Sequence, residues 1–387
     1  MRALIITNHY IDRNSGGSIG TRSTVNILSE IVPECYLIYP DSGKDMGSFV
    51  NKNVIGIPCH DSLPKWLKGI FVYFGRLHRF KRTVKNFLIK ENVDLVFFDT
   101  VVVSHQLINY VRKKGKKIIT IHHGAERDFY KDNKPPLLIR IPFLIFIGIA
   151  EKKAVIGSDL NLVPTKLDKE KLLKRYKNKL NQDKIQIFSV YENPGLNTSS
   201  SHAPVVFKKN EKVNFIITGS LSFPQSDICI REFLEIYLPV IRKKFSSFRI
   251  IIAGSNPQDK LIRAAKSIKE VLIIKNPDNI SEILRGGDIY VCPVSMGSGI
   301  KLRIMDGLKS GLPVIAHEDS INGYEAFVDK GFMFLYNSPD SFAEALDRVI
   351  NRNIKPDQII SLYENSFSFE AGKDRMKMLL TEIINQK

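Results

Sequence analysis

The residues best suited to chemistry lie between Val291 and Ala316. Gly297, Ser298 and Gly299 make a glycine–serine–glycine turn, followed at once by Ile300, Lys301, Arg303 and then Asp306. Glycines let a backbone approach a ligand closely, and the unpaired amides that open a helix attract anions. With an ammonium beside them they suit a diphosphate. The spacing predicts a strand ending at Pro293, a helix from about Ile300 to Gly311 and a new strand from Pro313. Asp306 then falls about one and a half turns into that helix, where its carboxylate can accept from two vicinal hydroxyls, as on a ribose. The plainer alternative is a simple strand-to-helix connection with a solvated aspartate.

Two other groups could also do chemistry. His122-His123-Gly124-Ala125-Glu126 follows a predicted strand, and histidine can donate to a hydroxyl or take up a proton near neutral pH. Either histidine alone reads equally well as a capping or core residue. Ser15-Gly16-Gly17-Ser18-Ile19-Gly20-Thr21 follows the first strand and reads equally as a tight turn or as a contact for an anion or sugar. It is not the dinucleotide fingerprint and lacks the lysine of a P-loop. No Asp-x-Asp pair is placed to hold a metal, so neither metal nor cofactor is expected.

The elements that must position these residues alternate. Short β-branched or aromatic runs at 4–7, 93–98, 118–121, 215–218, 249–253, 271–274, 289–292 and 314–316 read as buried strands, mostly separated by helical stretches. Such alternation predicts α/β architecture: parallel sheets covered by helices, with ligands at the carboxyl ends of the strands. Residues 193–212 have a linker composition, dividing the chain near residue 205. The expected domains are 1–205 and 206–358, with a helical segment 359–387 that could pack back on the first. No internal repeat is present.

At 387 residues, 43% hydrophobic and 25% charged, the chain can bury two cores, and a disordered or fibrous protein is excluded. Four scattered cysteines exclude a disulfide framework or a cysteine zinc cluster and fit a reducing cytoplasm. The first ten residues are too briefly apolar for a signal peptide. The most apolar run, Ile141 to Ala150, is too short to span a bilayer and reads as a buried helix or, alternatively, as a membrane-contacting segment. A net charge of +17 favours anionic partners. Residues 62–90 hold eight Lys or Arg and no acid, with an apolar stripe at helical spacing. They read either as a helix packed on the sheet with a solvated basic face, or as a peripheral contact with an anionic membrane. No nucleic-acid-binding signature accompanies the charge, and no such partner is expected.

The Val291–Ala316 stretch resembles the donor-site signature of glycosyltransferase family 4, in the branch with a Gly-Ser-Gly-Ile-Lys turn. Phe215–Pro224, Ile250–Ser255, Ile280–Val291 and His122–Glu126 resemble further elements of that family in the same order. The resemblance implies the GT-B fold, two Rossmann-like domains facing across a cleft. It also implies metal-independent, retaining transfer from a nucleotide-diphosphate sugar to a glycan or lipid-linked acceptor in surface polysaccharide assembly. On it, Lys301 and the amides of Gly299 and Ile300 match the diphosphate cradle, Asp306 the ribose ligand, and Gly219 and Ser220 a loop near the phosphates. Gly16 and Gly17 match the acceptor-domain loop facing the donor, and His123 the site histidine. Glu126 would orient that histidine or the acceptor, and the Lys275-Asn276-Pro277 loop would meet the base. The sequence departs from the family at Ser298, where a second glutamate is common, and at Phe223, Pro224 and Gln225, where a basic pair is common. Phosphate neutralisation then falls on Lys301 and Arg303. Two other readings follow: a nucleotide-sugar epimerase or phosphorylase on the same fold, and an inactive sugar-nucleotide-binding partner subunit.

Overall fold

A computed structural model describes residues 1–13, 15–59, 78–132, 137–177, 179–193, 212–297 and 299–385. The chain forms two compact units, residues 1–196 with 367–387, and residues 197–366.

In the first unit the strands are β1 (Arg2–Thr7), β2 (Glu34–Pro40), β3 (Val54–Cys59), β4 (Leu95–Asp99), β5 (Lys117–Ile121), β6 (Leu160–Val163) and β7 (Ile185–Ile187). They make one parallel sheet in the order β3-β2-β1-β4-β5-β6-β7. Along β1, Leu4 and Ile6 enter one hydrophobic cluster while Ala3 and Ile5 enter the other. This two-residue alternation is what a strand buried on both faces requires. One cluster is completed by the helix Phe369–Asn385, which buries Met376, Leu379, Leu380 and Ile383 beside Ile27 and Leu28 of the helix Gly16–Ile31. The other packs the helices His78–Lys90 and Val101–Lys113.

In the second unit β8 (Val213–Ser220), β9 (Phe248–Ser255), β10 (Val271–Lys275), β11 (Ile289–Cys292), β12 (Val314–His317) and β13 (Met333–Tyr336) form a parallel sheet ordered β10-β9-β8-β11-β12-β13. At β8 and β9, Gly219 lies opposite Gly254, and a Cβ on Gly254 would stand 1.8 Å from the Gly219 carbonyl oxygen. Only glycine fits there.

Each sheet reverses its strand order once, between β1 and β4 and between β8 and β11. Ligands of doubly wound sheets sit at such switch points.

Two expectations meet a different structure. The helix after the Gly-Ser-Gly turn runs over Arg303–Lys309, so it starts three residues later than the spacing suggests. Gly297 (φ 84°) and Gly299 (φ 80°) are left-handed, and the chain must leave that conformation before a helix can begin. The Ile141–Ala150 run lies in the helix Leu137–Gly157, but only one face is buried: Ile141, Ile145 and Ile149 are exposed. Of the basic segment 62–90, residues 62–77 lie outside the described residues, as do 194–211 of the linker and Ser298.

Candidate functional site

The switch point of the first sheet is organised around a buried carboxylate. Asp99 ends β4 and is 1% exposed. One of its oxygens accepts from the hydroxyls of Thr7 (2.6 Å) and Thr21 (2.5 Å), and the other pairs with Nε2 of His123 at 2.6 Å. Burial works against both charges. The pairing outweighs it, so Asp99 is held well below the usual carboxylate range and the His123 pKa is raised. The pairing thus favours the protonated ring of His123, with its Nε2 turned to Asp99.

His9 completes this cluster. Its Nδ1 is 3.0 Å from the Thr21 hydroxyl, and its ring meets that of His123 edge-on at 4.6 Å. Because the Thr21 proton goes to Asp99, His9 Nδ1–H is the donor to Thr21. The glycine loop has its reason here: a Cβ on Gly17 would stand 2.6 Å from the His9 ring. Gly16 opens the helix, and Ser15 caps it by accepting from the Ser18 amide. The residue after Asp99, Thr100, has φ 104°, a strained value for a β-branched residue. Its hydroxyl donates to Asn8, and its amide to the Ile121 carbonyl, so the strain is held by the same loop ends. Ligand atoms of His9, Asp99 and His123 lie within 4.8 Å of one another, donor types that a transition metal accepts. Here the carboxylate is already committed to two hydroxyls and an imidazolium, so the cluster is complete as a hydrogen-bonded network.

The adjoining histidine is different. His122 Nε2–H donates to Asn161 Oδ1 at 3.0 Å, and burial lowers its pKa, so it is a neutral core residue. Gly124 (φ 145°) turns the chain away, and Asp168 receives the Ala125 amide. Glu126 starts the helix Glu126–Asp132 and accepts from the Val101 amide at 3.4 Å. Burial pushes its carboxyl up to about 8, so it is protonated at neutral pH.

At the switch point of the second sheet, Asp306 accepts from the Thr218 hydroxyl at 2.8 Å, which in turn receives the Tyr290 hydroxyl at 2.8 Å. Burial raises the Asp306 pKa to about 6, against that hydrogen bond and Arg303. The Arg303 guanidinium lies under Gly219, where a Cβ would stand 3.0 Å from Cζ. Its Nη2 donates to Ser226 at 2.7 Å, while Nη1 is buried with no hydrogen-bond partner. Lys301 turns its ammonium onto the Gly297 carbonyl, and the Tyr324 hydroxyl donates to the Lys301 carbonyl. Burial lowers the Lys301 pKa.

Thus Gly219, Arg303 and Asp306 come together, with Lys301, Gly299 and Ile300 in the loop that leads to them. Ser220 follows Gly219 and meets Ser222 at 3.0 Å. Asn276 is elsewhere on this edge, at φ 47°, accepting the Asn256 amide. His9, Asp99, Thr21, Thr218 and Tyr290 were not legible as site residues. The signal for two of them was position: Asp99 ends a strand that the sequence suggests stops at Phe98, and His9 lies two residues beyond β1.

Comparison with known proteins fits this geometry. Across its length the chain resembles solved structures of glycosyltransferases. Sucrose-phosphate synthase from Thermosynechococcus elongatus is 13% identical, with all of both chains covered and a TM-score of 0.70. HepE from Anabaena, solved with UDP, is 9% identical over 99% of this chain and all of the other, at 0.68. A glycosyltransferase from Rickettsia africae is 15% identical over 100% and 99%, at 0.63. The chain has the GT-B fold. Residues 206–352 match the family described as glycosyl transferases group 1. The chain's second unit thus carries a glycosyltransferase domain. No curated protein matches the sequence.

Proposed function

We propose that the protein moves a sugar from a nucleotide-diphosphate sugar to an acceptor hydroxyl, as a member of the Gly-Ser-Gly-Ile-Lys branch of glycosyltransferase family 4. The observation that carries this is the Arg303 guanidinium. It lies under Gly219 with its Nη1 buried and unpartnered, beside a loop of left-handed glycines and a carboxylate. A buried N–H with no acceptor is costly, and the oxygens of a diphosphate would satisfy it. Asp306 is then the acceptor for ribose hydroxyls, and Lys301 must turn from Gly297 toward the phosphates. The Anabaena protein solved with UDP-glucose supports a nucleotide-sugar donor.

In the first unit, the Nδ1–H of His123 donates to a sugar hydroxyl, with Asp99 holding the ring in place and charged. During transfer the bond between the anomeric carbon and the phosphate oxygen breaks and one to the acceptor oxygen forms. Arg303 and Lys301 stabilise the charge developing on the departing nucleoside diphosphate. This proposal includes retention at the anomeric carbon, no metal or other cofactor, and a glycan or lipid-linked acceptor in surface polysaccharide assembly. It also places the protein in the cytoplasm, at the inner membrane face.

The test is calorimetric binding of UDP, GDP and ADP without added metal, for the native chain and for Asp306→Ala. One nucleotide should bind at micromolar level, about tenfold or more weaker in the variant. The ionised Asp306 is the better acceptor for two hydroxyls, so as pH rises through about 6 native binding should tighten more than that of the variant, whose remaining rise comes from the nucleotide's own terminal phosphate. Equal affinity of the two proteins at all pH values would remove Asp306 from the donor site. Binding with no turnover on any acceptor would favour the inactive partner subunit, a reading that the inward-turned Lys301 gives some ground.

A further inference from the structure

The helix Leu137–Gly157 lies on the first unit with a surface that suits water poorly. Phe143, Ile147, Ala150 and Ala154 are buried against Val101 and Val102. The opposite face carries Ile141, Ile145 and Ile149 at four-residue spacing, 71%, 59% and 54% exposed. From Ile141 to Ala150 there is no charged or hydrogen-bonding side chain, so the outward face is as apolar as the inward one. A helix that is apolar all round is ordinarily enclosed, and this one is covered on one side only. Together with Ile89 (69%), these three are the most exposed large hydrophobic residues among the described ones.

The surroundings are basic. Arg140 and Lys152 bracket the run. Lys153 donates to the His105 carbonyl and lies close enough to Lys81 for their charges to repel. Lys81 belongs to the helix His78–Lys90, which carries Arg82, Lys85 and Lys90, the exposed Ile89 and no acid. Both helices flank Val101–Lys113. The nearest acid within the run's own helix, Glu151, is buried and paired with Arg175.

We propose that this face of the first unit, Ile141, Ile145 and Ile149 with the basic residues beside them, docks on an anionic lipid bilayer. Aliphatic side chains between cations are the pattern of a helix lying in the plane of a lipid interface, where hydrocarbon takes the isoleucines and headgroups take the charges. Protein–protein hot spots lean instead on aromatic anchors, which the outward face does not have. No helix among the described residues is long and apolar enough to cross a membrane, so the helix lies on the bilayer. The surface is independent of the donor assignment. It deepens the proposed function by placing acceptors at a membrane surface.

The experiment is co-sedimentation of the full chain with phosphatidylcholine vesicles, with and without phosphatidylglycerol. The variants are Ile141→Ser/Ile145→Ser/Ile149→Ser and Lys81→Gln/Lys85→Gln. Native protein should bind the anionic vesicles, and added salt should weaken binding by screening. The isoleucine variant should bind about tenfold or more weaker at every salt concentration. The lysine variant should weaken binding mainly at low salt. Nucleotide affinity and melting temperature, unchanged in both variants, confirm folding and keep the donor site as a separate question. Undiminished binding by the isoleucine variant overturns the proposal. So does absence of binding to anionic vesicles, or a native dimer in solution that the isoleucine variant dissociates.

Discussion

A carboxylate hidden from water, as Asp99 is, has to be matched by its neighbours, and here they are two threonines and an imidazolium. Asp99→Asn keeps the shape and removes the charge. Breaking such a buried pair costs about 3–5 kcal/mol. The contribution depends on pH in a definite sense. The His123 pKa lies above its ordinary 6.5 when folded, so its share is complete below that value and fades as pH rises past the raised one. Asp99 lies below its ordinary 3.8, so its share is complete above that value and fades toward acid. The melting temperatures of the native chain and the Asp99→Asn variant should differ most between about pH 4 and 6.5 and converge in alkali. Turnover of the variant should fall about tenfold or more, with its alkaline limb moved to lower pH. A constant difference in melting temperature across pH would sink the ion-pair account. At this scale the sequence showed what was local. Lys301, Arg303 and Asp306 fall within six residues, and chemistry could be read from their order. The Asp99 network could not be read, because Thr7 and Asp99 stand 92 positions apart and meet only through strand register.

Among elements, β8 and β9 set Gly219 opposite Gly254, with no room for a Cβ at Gly254. Gly254→Ala forces a methyl into the neighbouring carbonyl and should cost about 3 kcal/mol. Circular dichroism on heating should show a lower midpoint for the variant, and an unchanged midpoint would mean that the strands separate freely. Legibility of elements followed burial. The central strands β1, β4, β5, β8, β9 and β11 are unbroken apolar runs and could be read directly. Three others could not: the edge strand β3 contains Gly56 and Pro58, the edge strand β7 has three residues, and β6 between β5 and β7 carries the buried Asn161 between leucines. A strand with one neighbour needs less hydrophobic character, so its pattern is weak. The Leu137–Gly157 helix shows the reverse error. Hydropathy reports how apolar a run is, not whether anything covers it.

For the whole molecule, two parallel sheets with covering helices follow from the alternation of patterns along the chain. The pairing of remote segments does not, because it depends on which apolar faces remain to be covered. The helix Phe369–Asn385 covers one face of the first sheet, although the second unit separates it from that sheet in sequence. Met376, Leu379, Leu380 and Ile383 are worth about 1.5–3 kcal/mol each when buried, comparable together to the usual net stability of a domain. A chain ending at Ser366 should therefore lose the first unit's cooperative melting and bind apolar dyes, while its second unit still melts. Two intact transitions would refute this. The same connectivity sets an order on biosynthesis. As the polypeptide emerges from the ribosome, the unit made first lacks part of its core until the unit made second has been completed. The later unit is complete once residue 366 has been made, before the helix Phe369–Asn385 exists, so it is the first that can reach its native state, and the nascent first sheet waits with Ile27 and Leu28 uncovered, a natural client for a chaperone.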